Sequence, residues 1–171
     1  MYKRAINTFL LFGLIICFSA CSSSSKSSSS PESIGRYTFD FLEQINVLET
    51  SSLIEYFTNT KTIKKFLSET VTEDQRKHYL YTLTSDDQAE WPKYLYDIIY
   101  TLKQDGAKLG IEWNKVTYLD FISRFVESEN IHKGELFFKY DDYVYSVHTT
   151  SVPIDKKIYL VDVSTLRKVS R

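Results

Sequence analysis

The stretch Gly134-Glu135-Leu136-Phe137-Phe138-Lys139-Tyr140-Asp141-Asp142-Tyr143-Val144-Tyr145-Ser146-Val147-His148-Thr149 decides the fold. Two runs rich in aromatic and β-branched residues flank Asp141-Asp142, a pair suited to a tight turn, and such runs read as strands. The sequence therefore predicts strands over Glu135 to Tyr140 and Tyr143 to Thr149. A connection this short forces them to run antiparallel. Downstream, past a loop holding Pro153 and Asp155, Lys157 to Ser164 repeats the pattern. Upstream, Asn130 to Gly134 predicts a turn, preceded by extended chain over Val116 to Glu127 and over the shorter Ile111 to Trp113. The alternation slips near Leu119-Asp120, which marks a bulge or bend.

Before Gly110 the period changes from two to between three and four. Tyr37, Phe41, Leu42, Ile45 and Leu48 lie on one face of a helix beginning near Ser33. After a break at Glu49 to Ser52, the apolar residues Leu53, Ile54, Phe57, Ile63, Phe66 and Leu67 predict one or two short helices interrupted near Asn59-Thr60. Thr72-Glu73-Asp74-Gln75 has the form of a capping box, ahead of a helix carrying Tyr79, Leu80 and Leu83. Ser85-Asp86-Asp87 caps another, with acids where the helix dipole favours them. That helix carries Trp91, Leu95, Ile98, Ile99 and Leu102 and is expected to stop at Gly106. Pro92 is tolerated only in its first turn or two.

Helices first and an antiparallel meander afterwards define an α+β fold, with N-terminal helices packed on a C-terminal sheet of about four strands. The progression of Trp113, Val116-Thr117-Tyr118, the Gly134-led strand, Tyr143-Val144-Tyr145 and Ile158-Tyr159-Leu160-Val161 resembles the sheet half of cystatin-like or NTF2-like lipoproteins. The resemblance implies a curved sheet wrapping a helix, often with a cavity at its mouth and often a homodimer.

The other informative stretch is the first thirty residues. Lys3 and Arg4 precede an apolar run from Phe9 to Phe18. A helix needs roughly 20 apolar residues to cross a bilayer, so this run is too short for a permanent span and has the layout of a secretory signal. Phe18-Ser19-Ala20-Cys21 resembles the lipobox of bacterial lipoprotein precursors, with Phe18 where that family usually has an aliphatic residue. The resemblance implies cleavage after Ala20, recognition of Phe18, Ser19 and Ala20 by the signal peptidase, and a lipid on Cys21. Residues 22 to 30, eight serines and one lysine, cannot bury apolar surface and read as a flexible tether. The expected organisation is a signal peptide over 1–20, a lipidated tether over 21–30 and one α+β domain over 31–171. The serine after Cys21, without a nearby Asp, resembles lipoproteins of the outer membrane, facing the periplasm. In a single-membrane organism the same signal means the outer face of the cytoplasmic membrane.

Composition narrows the chemistry. Removal of the leader takes Lys3 and Arg4 from 21 basic side chains and none from 22 acidic ones. The mature chain is net acidic and has no Lys/Arg stripe, which argues against nucleic acid. With Cys17 in the leader and Cys21 lipidated, no thiol remains for a disulfide, a zinc site or a nucleophile. His78, His132 and His148 have no partner at metal-ligand spacing, so no metal or cofactor is expected. Among only five glycines there is no Gly-x-Ser-x-Gly and no phosphate-cradling loop. No catalytic residue is assigned.

Recognition is left. Phe137, Tyr143, Tyr145 and Tyr159 are candidate ligand residues, because alternation leaves one sheet face free to expose aromatic rings to a partner. Asp120, set between Leu119 and Phe121, is a candidate cavity acid, since burial would raise its pKa. The expectation is a membrane-anchored envelope protein that binds a protein or a small apolar ligand. The alternatives are an inhibitor or immunity protein against an envelope-acting toxin, and a small hydrolase or isomerase using a cavity acid.

Overall fold

A computed structural model of the protein describes residues 27–70 and 90–170. The leader with Phe18, Ser19, Ala20 and Cys21, the box at Thr72 to Gln75 with its helix, and the cap at Ser85 to Asp87 lie outside the described residues. Described in chain order are α1 (Pro31–Gln44), α2 (Thr50–Ile54), α3 (Thr60–Thr70), α4 (Glu90–Lys108), a 3-10 turn (Trp113–Lys115), then β1 (Thr117–Val126), β2 (Ile131–Tyr140), β3 (Tyr143–Ile154) and β4 (Lys157–Ser170). The strands form one antiparallel sheet in the order β1-β2-β3-β4. The expected α+β meander is present.

The fold begins slightly earlier than the tether reading implies. The Ser30 hydroxyl accepts from the Ser33 amide, and the Ser33 hydroxyl accepts from the Ser30 amide, a capping box with Pro31 in the first turn. Ser28 exchanges two backbone hydrogen bonds with Ile158 on the outer edge of β4. Thr58 donates to the Leu160 carbonyl on that same edge at 2.8 Å. The last serines are therefore part of the domain.

Helix α4 runs past the expected stop. The Ile111 amide returns to the Gly106 carbonyl and the Gly110 amide to that of Ala107. Gly110, at φ 69°, takes the left-handed position of this Schellman closure, which Gly adopts without a Cβ penalty. Gly106 has a different purpose: a Cβ there would run into the Trp113 indole. The expected strand over Ile111 to Trp113 is likewise absent, because Trp113 starts the 3-10 turn and inserts its ring beside Phe138.

The β2–β3 turn falls at Asp141-Asp142, between the paired Tyr140 and Tyr143. Where the sequence predicts a loop around Pro153, β3 continues to Ile154 and turns on Asp155 and Lys156, both at positive φ. That pair of conformations is the two-residue turn whose twist matches a hairpin. β2 starts at Ile131, inside the expected turn, and β4 extends six residues beyond Ser164 to Ser170. The slip at Leu119 is a bulge: Tyr118 pairs with Phe138 and Asp120 with Phe137.

One sheet face carries most of the buried strand side chains. Leu136, Phe138, Tyr145, Val147, Leu160 and Val163 are buried on it, with the Phe138 and Tyr145 rings stacked at 5.8 Å. α1 crosses this face; Phe121 fits between Gly35 of α1 and Gly134 of β2, and a Cβ on either glycine would meet that ring inside contact distance. Among the described residues no helix is long and apolar enough to cross a membrane.

Candidate functional site

Asp162 on β4 is the group around which a site can be built. A bulge in β4 decides where it points: Thr150 pairs with Asp162 while Ser151 pairs with Leu160, so Val161 is the extra residue. Asp162 thereby shares a face with Thr150 and lies under the start of α4, where Tyr94 donates to its Oδ1 at 3.1 Å. Ser164, two residues along the strand, donates to Oδ2 at 2.8 Å. Burial pushes the Asp162 carboxyl above the ordinary aspartate range, against the pull of the Ser164, Tyr94 and Val163 hydrogen bonds. Burial first, and then the charge of Asp162, drive the Tyr94 phenol far up, so it remains a donor.

An apolar hollow of about 200 Å³ opens onto this carboxyl. Its walls are Ile63, Phe66 and Leu67 from α3, Trp91 from α4, and Ile131 and Val152 from the sheet. The Trp91 ring stacks on Tyr94 at 5.3 Å, and its indole N–H donates to the Thr58 carbonyl at 2.7 Å. Trp91 thus offers the hollow only carbon surface. A second hollow of about 340 Å³ meets Asp162 from the side of Asp97, Thr101 and Asp105.

Across the same sheet face runs a polar groove of about 420 Å³ lined by Arg124, Lys133, Glu135, His148, Thr150 and Ser164, among others. Arg167 donates to Glu135 at 2.6 Å, and the His148 Nε2 is 3.8 Å from the same oxygen. Partial burial raises the Glu135 pKa, but the hydrogen bonds from Arg167 and Ser146 outweigh it and leave the group below its ordinary value. Among the described residues no group of three His, Cys, Asp or Glu side chains could hold a metal ion.

The expected site residues do not come together. Tyr145 is buried in the core beside Phe138. Phe137 is half-buried on the opposite face. Tyr143 and Tyr159 are half-buried, and the Lys168 ammonium stands 2.9 Å from the centre of the Tyr143 ring. Asp120 is exposed at the β1 bulge, where its Oδ1 accepts from the Phe121 amide at 2.8 Å. The burial its assignment needed is missing. Asp162 was legible by the same signal, an acid between apolar neighbours, here Val161 and Val163. The deciding feature was the bulge at Val161, which alternation counting passes over.

A search of solved structures finds a similar chain, described as a cystatin-like protein from Ruminococcus gnavus ATCC 29149, at 12% identity and a TM-score of 0.51. The fold is cystatin-like. The match covers 84% of this chain and 46% of that one, so this chain spans less than half of that protein's length. At such identity the likeness concerns the fold alone. No protein-family model matches the sequence, and no curated protein matches it. Within the cystatin-like fold, the Asp162 hollow is assembled from α3, the first turns of α4 and the face of the sheet opposite the Phe138 core.

Proposed function

We propose that this protein is a lipid-anchored protein of the bacterial cell envelope that works by binding, and that its ligand has a small apolar body and one hydrogen-bond-donating head. The observation that carries the reading is the apolar hollow ending on Asp162. Burial of apolar surface supplies affinity at about 25 cal/mol per Å², and a single convergent polar group sets orientation. An ionised carboxyl has about four acceptor positions. Tyr94, Ser164 and the Val163 amide use three kinds of contact to it, which leaves room for one donor from a ligand.

The anchor part rests on the lipobox. An acyl chain contributes about 0.8 kcal/mol per buried methylene, and one chain alone binds marginally, so multiple acylation at Cys21 would hold the domain durably. In a double-membrane cell the site would be the outer membrane, facing the periplasm. Cys21→Ser in the full chain should move the protein from the membrane fraction to the soluble one. Retention in the membrane would overturn the anchor.

The ligand part is tested by calorimetry of the full chain with hexylammonium and hexanoate. Hexylammonium should bind and hexanoate should not, and Asp162→Asn should weaken the ammonium about tenfold or more through loss of a charge-assisted hydrogen bond. Binding of neither probe would overturn the site. A catalytic reading would use the same carboxyl, since a buried acid held above its ordinary range suits general acid chemistry.

A further inference from the structure

The two edges of the sheet are finished differently. The outer edge of β4 is met by backbone hydrogen bonds from Ser28 and Thr58. Among the described residues, no backbone hydrogen bond reaches β1 from the side away from β2. Every second amide and carbonyl of β1 points outward there, which makes the strand a template for another. It also exposes three large apolar side chains, Leu119 at 45%, Ile122 at 60% and Phe125 at 46%.

We propose that β1 pairs antiparallel with β1 of a second copy about a twofold axis at Ile122, joining two sheets into one. The occupant follows from the charges. Asp120, Ile122 and Arg124 share one face of β1, opposite Phe137, Glu135 and Lys133 of β2. Neither Asp120 nor Arg124 forms an ion pair among the described residues, and the hydrogen bond that the Asp120 carboxylate accepts from the Phe121 amide is exchanged for the partner's charge on pairing. They cannot reach each other, since four residues of strand span about 13 Å. When β1 is set against its own copy with Ile122 opposite Ile122, Asp120 falls opposite Arg124 of the copy, and the symmetry repeats the pair. The same register sets Ile122, the most exposed of the three apolar residues, against Ile122 of the copy.

Such an interface is isologous, the commonest kind in homodimers. Opposite charges directly across a strand pair stabilise it and like charges oppose it. A shift of one residue would put Asp120 and Arg124 on opposite faces of the joined sheet and lose both pairs. The two charges therefore select this partner and this register together.

The test is the mass of the full chain in detergent by sedimentation equilibrium, in four forms. The natural chain should be dimeric. Asp120→Arg alone and Arg124→Asp alone each set like charges across the axis and should weaken the dimer about tenfold or more. Asp120→Arg with Arg124→Asp in one chain should restore it. Mixing the two single variants should also restore it, as heterodimers, because each then supplies the charge the other lacks. Both substituted residues are exposed, and unchanged far-UV circular dichroism would confirm intact folding. A monomeric natural chain overturns the proposal and leaves the edge to a strand of a different protein. Single variants that stay fully dimeric overturn it too, by placing the contact elsewhere.

Discussion

Phe137 and Phe138 are neighbours on β2 and face opposite sides of the sheet. Phe138 is fully buried between Trp113 and Tyr145. Phe137 is half-buried on the face that also carries Glu135, Ser146, His148 and Arg167. The difference teaches that the first face is packed around Phe138 and Tyr145, while the second carries polar side chains beside Phe137 and apolar ones, Ile131 and Val152, only at the hollow. Alternation is what separates them, because successive side chains of a strand point to opposite faces. An expected aromatic binding face is replaced by a polar groove, with the apolar hollow at Asp162 beside it.

The comparison is broken most forcefully at its packed side. Phe138→Ala should cost about 3–5 kcal/mol by urea unfolding, as a buried aromatic truncation with a cavity left behind. Phe137→Ala should cost less, about 1–2 kcal/mol, because part of its ring already meets water. Equal costs would remove the distinction between the faces.

Next comes the close approach at Gly134. Gly134→Ala sets a methyl against the Phe121 ring and the Thr149 hydroxyl, an overpacking expected to cost about 1–3 kcal/mol. Adding Phe121→Leu should recover part of that loss, since the ring is the obstacle. No recovery would mean that the strand, and not the ring, resists the change.

Asp162 gives a pH-dependent effect. Its carboxyl is held above its unfolded value by burial, so the folded state binds the proton more tightly than the unfolded chain. The associated stability is complete below the ordinary aspartate value of about 3.9 and is lost as pH rises through the folded pKa. Asp162→Asn should lack that decline, so the difference between the two stability-versus-pH curves should fall as pH rises through this window. A difference independent of pH across this window would contradict the burial of the carboxyl. Glu135 has the opposite sign, since its pKa is lowered: its contribution is present above the unfolded value and lost as pH falls.

The smallest effect is expected at the Glu135–Arg167 pair. Arg167 is about half exposed, and exposed pairs contribute about 0–1 kcal/mol. Arg167→Met should change stability by no more than that at moderate salt. A larger loss would make the polar face a structural element in its own right.

The fold was legible where local chemistry dictates it. Asp141-Asp142 marked the turn between β2 and β3, the slip at Leu119 marked the β1 bulge, and the apolar spacing of Tyr37, Phe41, Leu42 and Ile45 marked α1. Boundaries were lost where tertiary pairing overrides local signals. Pro153 reads as a loop residue, yet it pairs with Ile158 in the sheet. Gly106 reads as a helix end but is small because Trp113 lies against it, while the true end is Gly110. The site was less legible. Asp120 and Asp162 carry the same local pattern, and only the two bulges, at Leu119 and at Val161, separate an exposed acid from a buried one.

The central claim is that the hollow at Asp162 holds a small ligand, and native mass spectrometry of the full chain released from bacterial membranes tests it most directly. The account predicts a small-mass adduct on the natural protein that is reduced or absent in Asp162→Asn. A natural protein without any adduct, which also fails to take up added hexylammonium, would contradict it.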